Sequence, residues 1–369
     1  MSRARYIMIG GFLGAGKTTC VAALAQHLTE AGKMVGLITN DQGRELVDTA
    51  MLRAKGFATE EIPGGCFCCR FNSLVDAANK LTEQSRPDVF IAEPVGSCTD
   101  LVATVTYPLR RIYSDEFSIA PLSVLVDPIR ASRIFGLSDG GNFSEKVIYI
   151  YRKQLEEADL IIINKTDLLE TDALAALRDK LAKEFPDAKV LQVSARNNEG
   201  LEDWFSRITD AEQIARAVME VDYEIYAEGE ALLGWLNATV QLYATDGFEA
   251  KKVLQQLAGD IQTQLNEQST EIAHLKMTLS PDVSLGGNVA IINLVRNDFV
   301  PELSADLDGP IESGQLIINL RAEGDPELLR QTVEKAVTNA PASLTAKLDH
   351  LEHFRPGKPE PTHRVTDLA

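Results

Sequence analysis

The sequence predicts an α/β fold with a mostly parallel sheet, followed by a smaller α+β domain. Up to about residue 208, short runs of β-branched residues alternate with longer stretches of helical periodicity, which is typical of a parallel sheet covered by helices on both faces. After that point, strand-like and helix-like segments follow in a different order. The 369 residues, of which 45% are hydrophobic, are enough for two cores, because single domains usually hold about 100 to 200 residues.

Six apolar runs are the expected strands of the first domain. Polar or glycine residues follow nearly all of them, and the ligands of an open parallel sheet bind beyond the carboxyl ends of its strands, so we expect the functional residues there. Between the first two runs, apolar residues recur with helical spacing from Val21 to Leu28, and Gly32 ends the predicted helix. The runs are residues 6–9, 35–38, 89–92, 122–126, 160–163 and 190–193.

The chain divides into four predicted segments: a first domain at 1–210, a charged linker at 211–228, the α+β domain at 229–345 and a proline-containing tail at 346–369. We expect four strands and two helices in the α+β domain. Prolines at 356, 359 and 361 predict an extended tail. His350 and His353 are spaced to share a helix face and, with His363, are a candidate metal site, although a partner-binding tail is the favoured interpretation.

Composition excludes several classes of protein. The formal net charge of −18 argues against nucleic acid or an anionic membrane as the main partner, because both repel an acidic surface. The apolar runs are shorter than the roughly 20 residues of a membrane-spanning helix, and the first is too short for a signal peptide. Three of the five cysteines fall within four positions, which suits metal binding better than a disulfide framework. We therefore expect a cytoplasmic protein.

A phosphate-binding loop lies between the first predicted strand and helix. Residues 11–18 match G-x-x-x-x-G-K-[ST], whose glycines let consecutive N–H groups face the phosphates while the following helix adds its positive dipole end. Lys17 is expected to reach the β- and γ-phosphates, Thr18 to bind Mg²⁺ and Thr19 to contact the α-phosphate. The predicted binding residues are Gly11, Gly14, Ala15, Gly16, Lys17, Thr18 and Thr19.

The segment Asn164-Lys165-Thr166-Asp167 predicts guanine as the base. The Asp167 carboxylate can accept hydrogen bonds from N1–H and the exocyclic amine of guanine, whereas adenine would leave a buried carboxylate unpaired. Lys165 can lie along the base, and Asn164 can brace the loop. Ser194 and Ala195 follow the next strand and can offer an N–H to the guanine O6. The sequence thus favours GTP and GDP over ATP, although a polar turn is the plain alternative.

Acidic residues after two other strands are candidates for magnesium binding and hydrolysis. Glu93 can hold a Mg²⁺-bound water or orient the attacking water, and the sequence leaves both roles open; Gly96 can donate its N–H to the γ-phosphate. Asp41 is a second candidate acid near the ion. For Asp127, an N-cap is at least as good an interpretation as a magnesium role. The predicted catalytic residues are Lys17, Glu93 and Gly96, and the predicted magnesium residues are Thr18, Asp41 and Glu93.

The cysteines at 66, 68 and 69 predict a metal site. Three thiolates in four residues can converge on one soft ion, and the two preceding glycines permit a tight backbone. Because three ligands leave one coordination position open, the set suits a transferable or catalytic metal more than a closed structural site. A thiol redox pair and packing cysteines are the alternatives. We interpret Cys20 and Cys98 as packing residues.

Four motifs in this order resemble the CobW-like P-loop GTPases, relatives of the GTPases that help load nickel into urease and hydrogenase. They are Gly-Gly-Phe-Leu-Gly-Ala-Gly-Lys-Thr-Thr, Gly-Gly-Cys-Phe-Cys-Cys, Glu-Pro-Val-Gly and Asn-Lys-Thr-Asp. The resemblance covers roughly the first 210 residues. It implies a P-loop NTPase fold, slow GTP hydrolysis, and a divalent transition metal, Zn²⁺ or Co²⁺, bound by Cys66, Cys68 and Cys69. It also implies Mg²⁺ residues at Asp41 and Glu93.

Two departures from the family pattern bear on the metal. Many relatives have Asn-Glu-Phe-Gly where this chain has Asn40-Asp41-Gln42-Gly43, and many carry a histidine-rich tract, whereas this chain has five histidines and no tract. The leading hypothesis is a GTP-hydrolysing metallochaperone that delivers its ion to a client metalloenzyme or cofactor-assembly protein, with a nucleotide-dependent homodimer possible for this branch. The alternative is a GTP-dependent chaperone that gates a cobalamin- or metal-dependent client without carrying the metal. A small-molecule kinase is a third hypothesis, which the 164–167 segment disfavours.

Overall fold

The computed structural model describes residues 3–41, 52–53, 56–282 and 288–366, and of Asp41 the backbone alone. These residues form two compact units. The first holds the described residues within Met1–Gly43, Lys55–Gly229 and Lys358–Ala369, and the second holds those within Arg44–Ala54 and Glu230–Gly357. Among the described helices, none is both long enough and apolar enough to cross a membrane.

The first unit is built on a parallel sheet whose order is β3-β2-β4-β1-β6-β7-β8, with β5 paired to β1 beside this path. Every pairing in it is parallel, for example Ile7 of β1 with Ile91 of β4. The strands are β1 (Ala4–Gly11), β2 (Val35–Asp41), β3 (Ala58–Pro63), β4 (Val89–Glu93), β5 (Phe117–Ile119), β6 (Ser123–Val126), β7 (Leu160–Ile163) and β8 (Lys189–Gln192).

Helices follow these strands. A π-helical stretch, Val102–Thr106, leads directly into α3. The helices are α1 (Lys17–Glu30), α2 (Phe71–Ser85), α3 (Tyr107–Ile112), α4 (Pro128–Ile134), α5 (Glu145–Glu156), α6 (Thr171–Glu184), α7 (Leu201–Asp210) and α8 (Tyr223–Leu232).

The apolar runs predicted as strands are strands because their side chains are buried on both faces. β4 and β7 are buried at every position, the pattern of a parallel sheet covered by helices on both sides. On α1 the residues Val21, Leu24 and Leu28 are buried, as their spacing predicted. The predicted α/β fold is confirmed. Two strands of this unit were not predicted. β3 lies at the sheet edge and mixes Thr and Glu with apolar residues, and β5 has only three residues, so neither gives a clear apolar run.

The predicted linker is packed against the first unit. Residues 211–222 have no regular structure, but α8 already begins at Tyr223. Gln213 is buried: its backbone N–H donates to the Ile119 carbonyl at 2.9 Å, and its side chain donates to Asp159 at 2.9 Å. Since both groups are satisfied by the first unit, this stretch is not a free tether.

The second unit is an antiparallel sheet of order β12-β11-β10-β13-β9-β14 with two helices. Alternate residues of β13, including Leu316, Ile318 and Leu320, share a core with Leu254 and Ile261 of α9. The elements are β9 (Leu233–Phe248), α9 (Ala250–Glu267), β10 (Glu271–Pro281), β11 (Ala290–Leu294), β12 (Glu302–Ala305), β13 (Ile311–Glu323), α10 (Pro326–Thr338) and β14 (Thr345–Phe354).

The prediction of four strands in this unit was wrong, because the described residues form six. β12 is short, and β14 is an edge strand that carries Lys347, Asp349 and Glu352, so neither has the apolar signal of a central strand. β14 also occupies positions assigned to the tail. His350 and His353 lie on this strand, where side chains three apart point to opposite faces. The idea that they share a helix face was therefore wrong.

Candidate nucleotide and metal site

The turn from β1 into α1 forms a loop that only glycine permits at its first position. Gly11 has φ +128°, and a Cβ placed there would lie 2.4 Å from the Leu125 carbonyl oxygen of β6. Lys17, the first residue of α1, folds its ammonium over the loop and donates to the Gly11 carbonyl at 2.9 Å and the Phe12 carbonyl at 3.4 Å. A cation is thus positioned at the centre of the predicted phosphate-binding loop.

The predicted magnesium and switch residues meet at this loop. The Thr18 hydroxyl donates to Glu93 Oε1 at 3.0 Å, and both residues are buried. Gly96 lies so close to the loop that an added Cβ would come 2.8 Å from Leu13 Cδ2 and 3.0 Å from its backbone nitrogen. A hydroxyl and a carboxylate side by side form the oxygen-rich set that Mg²⁺ prefers. Asp41 ends β2, but its side chain lies outside the described residues.

Asn164 ties the candidate base-binding residues to the phosphate loop. Its Nδ2 donates to the Ala15 carbonyl at 3.0 Å, and its Oδ1 accepts from the Ala195 N–H at 3.2 Å. Lys165 Nζ donates to the Gly14 carbonyl at 2.7 Å, and Ser194 Oγ donates to Asp167 Oδ1 at 2.6 Å. All five predicted base-binding residues thus lie around one loop cluster.

For three predicted residues, the structure either settles an interpretation that the sequence left open or shows surroundings that we did not expect. Asp127 is an N-cap: its Oδ1 accepts the N–H groups of Ile129 and Arg130, and its Oδ2 pairs with Lys165 at 3.0 Å. Asp167 is exposed, so the desolvation penalty that we expected from a buried carboxylate does not operate in this conformation. Thr19 is also exposed, on the first turn of α1.

The three predicted metal ligands converge. The Sγ atoms of Cys66 and Cys68 are 2.7 Å apart, those of Cys66 and Cys69 3.1 Å, and those of Cys68 and Cys69 3.7 Å. A tight turn creates this arrangement, since the N–H groups of Cys69 and Arg70 both donate to the Cys66 carbonyl. Asn40, at the end of β2, holds the start of the turn by donating to the carbonyls of Ile62 and Gly65.

The donor set fits a thiophilic ion. Zn–S bonds of about 2.3 Å imply sulfur–sulfur edges of about 3.8 Å in a tetrahedron; the Cys68–Cys69 pair is close to this at 3.7 Å, and the two pairs that include Cys66, at 2.7 and 3.1 Å, would open when an ion binds. Hydrogen bonds with the Cys68 and Cys69 thiols hold the pKa of Cys66 well below its usual range, whereas the contact with Cys66 raises the pKa of Cys68, and that of Cys69 to about 11. The cluster therefore stores protons that a bound ion would displace.

Two features of this site were not predicted from the sequence. The Cys98 thiol, interpreted as a packing residue, is buried and also hydrogen-bonds with the Cys66 thiol. The signal for it was available, because Cys98 follows the carboxyl end of β4 by five residues. The second feature is the C-terminal segment, in which Thr362 donates its N–H to the Cys68 carbonyl at 2.8 Å. No local pattern links residues so far apart in the chain.

This combination of a phosphate loop, an acid after β4 and a cysteine turn after β3 is matched by a known family. The family described as CobW/HypB/UreG, nucleotide-binding domain, matches residues 5–192, just over half of the chain. The chain belongs to this family. The match confirms the resemblance drawn from the four motifs.

Individual members of the CobW/HypB/UreG family are moderately similar. A zinc chaperone CobW from Sinorhizobium sp is 31% identical over 211 residues, covering 52% of this chain and 59% of the relative. The zinc chaperone YeiR of Escherichia coli strain K12 is 31% identical over 174 residues, covering 46% and 49%. The zinc-regulated GTPase metalloprotein activator 1 of Schizosaccharomyces pombe is 25% identical over 195 residues, covering 51% and 45%. The chain thus spans about half the length of these curated relatives.

Solved structures of the family are similar to this chain at low identity. HypB from Helicobacter pylori in complex with nickel has a TM-score of 0.42 at 17% identity, covering 58% of this chain and 91% of that one. Zn(II)-bound YjiA GTPase from E. coli has a TM-score of 0.38 at 14% identity, covering 91% and 99%.

We expect Gly11→Ala to weaken nucleotide binding by about 5- to 150-fold, because its Cβ would collide with the Leu125 backbone and the positive φ would be strained, a cost of about 1–3 kcal/mol. Gly10→Ala is the matched control, since a Cβ at Gly10 meets its nearest neighbours at an ordinary 3.8 Å. Titration with a fluorescent GDP analogue and thermal unfolding compare the two. Equal GDP affinity in both variants would contradict this account of the loop.

A buried carboxylate braces the loop beyond Cys98. Glu157, just after α5, accepts the Thr99 hydroxyl at 3.1 Å and the Val102 N–H at 3.0 Å. Burial raises its pKa from 4.5 to about 8, and the nearby Asp100 carboxylate adds to this shift. The folded protein therefore retains a proton at Glu157 that the unfolded chain releases.

The stability of the protein should consequently fall as the pH rises from about 4.5 to about 8, by up to about 1.4 kcal/mol per pH unit from this group. Glu157→Gln should remove that part of the pH dependence, because an amide does not titrate. Glu156→Gln, at the exposed neighbouring position, is the control. Urea unfolding from pH 5 to pH 8 measures the slope, and an unchanged slope in Glu157→Gln would refute the assignment.

Proposed function

We propose that this protein is a GTPase that carries Zn²⁺ as cargo on Cys66, Cys68 and Cys69 and passes it to a client that requires a metal. The observation that supports this is the position of the two sites in one sheet. The phosphate loop follows β1, Glu93 ends β4 and the cysteine turn follows β3, and the sheet order places β2 between β4 and β3. Nucleotide-dependent movement after β4 can therefore reach the cysteines.

The nucleotide half of the proposal rests on the charges around the loop. Lys17 can exchange its loop carbonyls for the β- and γ-phosphate oxygens, and Thr18 with Glu93 can hold Mg²⁺, which supplies charge neutralisation during phosphoryl transfer. Gly96 is close enough to the loop for its N–H to face a γ-phosphate. Asp167 gives the preference for GTP, and its bond with Ser194 aims the carboxylate into the same cluster.

The metal half rests on the donor chemistry and on the relatives. Thiolates bind Zn²⁺ strongly but discriminate loosely against Co²⁺, which is the second candidate ion. The names of relatives on two branches contain zinc, one as a chaperone and one as a metalloprotein activator. The client is proposed as a metalloenzyme or cofactor-assembly protein, with a nucleotide-dependent homodimer as the assembly that meets it.

The test is the effect of the nucleotide on metal affinity. With Mg²⁺ present, a non-hydrolysable GTP analogue should lower the Zn²⁺ dissociation constant about tenfold or more relative to GDP, and Zn²⁺ should strengthen binding of the analogue by the same factor. Competition with a chromophoric chelator measures the first effect, and nucleotide titration measures the second. The control is Cys20→Ser, which changes a buried thiol in α1.

The triple variant Cys66→Ser, Cys68→Ser, Cys69→Ser should bind GDP normally and lose Zn²⁺. If the Zn²⁺ affinity of the wild-type protein were the same with GDP as with the GTP analogue, the proposed carrier function would be contradicted. If, in addition, the triple variant still bound and released a client in response to GTP, the protein would be a gatekeeper that does not carry the metal itself.

A further inference from the structure

A fourth cysteine, Cys98, contacts the cluster of Cys66, Cys68 and Cys69. Cys66 is the common hydrogen-bonding partner of Cys68, Cys69 and Cys98. Cys98 is 2% exposed and Cys68 is 1% exposed, so these thiols meet away from solvent, while Cys69 is only partly buried. Cys66, Cys68 and Cys69 lie mutually within 4.8 Å, and Cys98 lies outside this set but contacts it at Cys66.

We propose that Cys98 is the fourth sulfur ligand of the metal held by Cys66, Cys68 and Cys69. This inference rests on the proposed metal binding and specifies its coordination. Zn²⁺ takes four ligands in a tetrahedron, so a fourth thiolate fills the position that the three cysteines alone leave open, and an acceptor must displace a sulfur to reach the ion. Because Cys98 comes from a different loop, binding of the ion joins the turn after β3 to the segment after β4.

The backbone around Cys98 is built to hold it in place. Gln154 of α5 is buried and donates from its Nε2 to the carbonyls of Gly96 at 2.9 Å and Cys98 at 2.8 Å. The Cys98 N–H donates to the Val95 carbonyl at 3.0 Å. The same clamp fixes Gly96, the candidate γ-phosphate contact.

Cys98 therefore gives the nucleotide a direct mechanical connection to the metal. Glu93 contacts Thr18, Gly96 packs on Leu13 of the phosphate loop, and Cys98 contacts Cys66, all within one stretch of six residues. A shift of this stretch toward a γ-phosphate changes the distance from Cys98 to the other sulfurs. The strength of metal binding then depends on which nucleotide is bound.

X-ray absorption at the zinc edge of the wild-type protein tests the coordination directly. With the GTP analogue and Mg²⁺, we expect four sulfur atoms at about 2.3 Å, whereas three sulfurs and one oxygen or nitrogen at about 2.0 Å in both nucleotide states would overturn the inference and leave the carrier function standing. A protein that bound no zinc at all would overturn both.

Variants give an independent readout. Cys98→Ser should weaken Zn²⁺ binding at least about tenfold, the smallest loss expected when even the outer-shell partners of a metal are changed, and Cys20→Ser should not. Equal affinities in the two variants would overturn the assignment. If Cys98→Ser fails to fold, as judged by GDP binding, the absorption spectrum of the wild type decides.

A separate observation concerns the C-terminal strap, which we define as residues 358–366. It lies across the cysteine turn: the Thr362 hydroxyl donates to the Cys69 carbonyl at 3.1 Å, and the Glu360 N–H donates to Cys69 Sγ at 3.3 Å. The His363 ring packs edge-on against Phe71, with centroids 4.9 Å apart. These contacts cover the cysteine that is closest to solvent.

The strap is anchored on the far side of the turn. Arg364 Nε pairs with Asp100 Oδ2 at 2.7 Å, and Asp100 is 1% exposed and also accepts the Tyr223 hydroxyl. The Val365 N–H donates to the Ala103 carbonyl at 2.9 Å. Asp100 has φ +64°, a strained backbone for a residue with a side chain, of the kind that is maintained where a side chain must be held in one direction.

We propose that the C-terminal strap closes the cysteine site and slows exchange of the ion with solvent. The Glu360 N–H stabilises the negative charge of the Cys69 thiolate, and the Arg364–Asp100 pair keeps the strap seated. Release of this pair would uncover Cys69. The strap thus acts as a positioning element for the ligand through which an acceptor reaches the ion.

Shortening the chain tests the strap. A protein that ends at Gly357 should lose Zn²⁺ to a chelator about tenfold faster, in line with the effect of outer-shell contacts, and Cys69 of its metal-free form should react faster with iodoacetamide. A protein that ends at Thr366 is the matched control, because it keeps every strap contact named here.

Unchanged rates after truncation at Gly357 would overturn the role of the strap without touching the assignment of Cys98. If that truncation fails to fold, Arg364→Ala replaces it, with Lys347→Ala on the exposed edge strand of the second unit as control. Arg364→Ala should accelerate both zinc loss and alkylation of Cys69, and equal rates in the two variants would contradict the proposal.

Discussion

The parallel pairing of the strands determines which functional groups become neighbours in the first unit. All strands of a parallel sheet end at the same edge, so the order β3-β2-β4-β1-β6-β7-β8 is also an order of sites. The cysteine turn comes first, then Asn40, the Glu93 segment, the phosphate loop, Asp127 and the base-binding loops. Adjacent strands are about 4.8 Å apart, which is why Thr18 after β1 and Glu93 after β4 are in hydrogen-bonding contact.

The cysteine turn and the Glu93 segment are separated by one strand, so about 10 Å of sheet lies between their origins. Two devices bridge this gap. Asn40, on the intervening strand, donates to the Gly65 carbonyl and so holds the start of the cysteine turn. The segment after β4 runs far enough for Cys98 to meet Cys66. The proposed communication between nucleotide and metal would therefore not require a path through the hydrophobic core.

Local motifs were predictable from the sequence because their geometry is set by a few neighbouring residues. The glycines around Lys17, the cysteine turn and the polar ends of the buried strands are of this kind, and so is the fold class. Contacts between distant segments were not predictable. Cys98 has the flanking pattern of a packing residue, and the strap has the composition of a free tail. The contact of the strap with Cys68 depends on the path of the chain after β14. That strand lies at the sheet edge and has no strong apolar signal, so its position was not predictable either.

The cysteines differ in exposure, and this difference has a kinetic consequence. Cys66, Cys68 and Cys98 are 5% exposed or less, while Cys69 is partly accessible. Thiolate ligands exchange by attack of an incoming nucleophile, so in the proposed carrier an acceptor would replace Cys69 before any more deeply buried sulfur. Loading and unloading would then share one intermediate, in which the ion is bridged between this chain and its acceptor. In the proposed carrier, the direction of transfer would then be set by the ratio of the two affinities for the ion, which every further sulfur or nitrogen ligand of the acceptor shifts in the acceptor's favour.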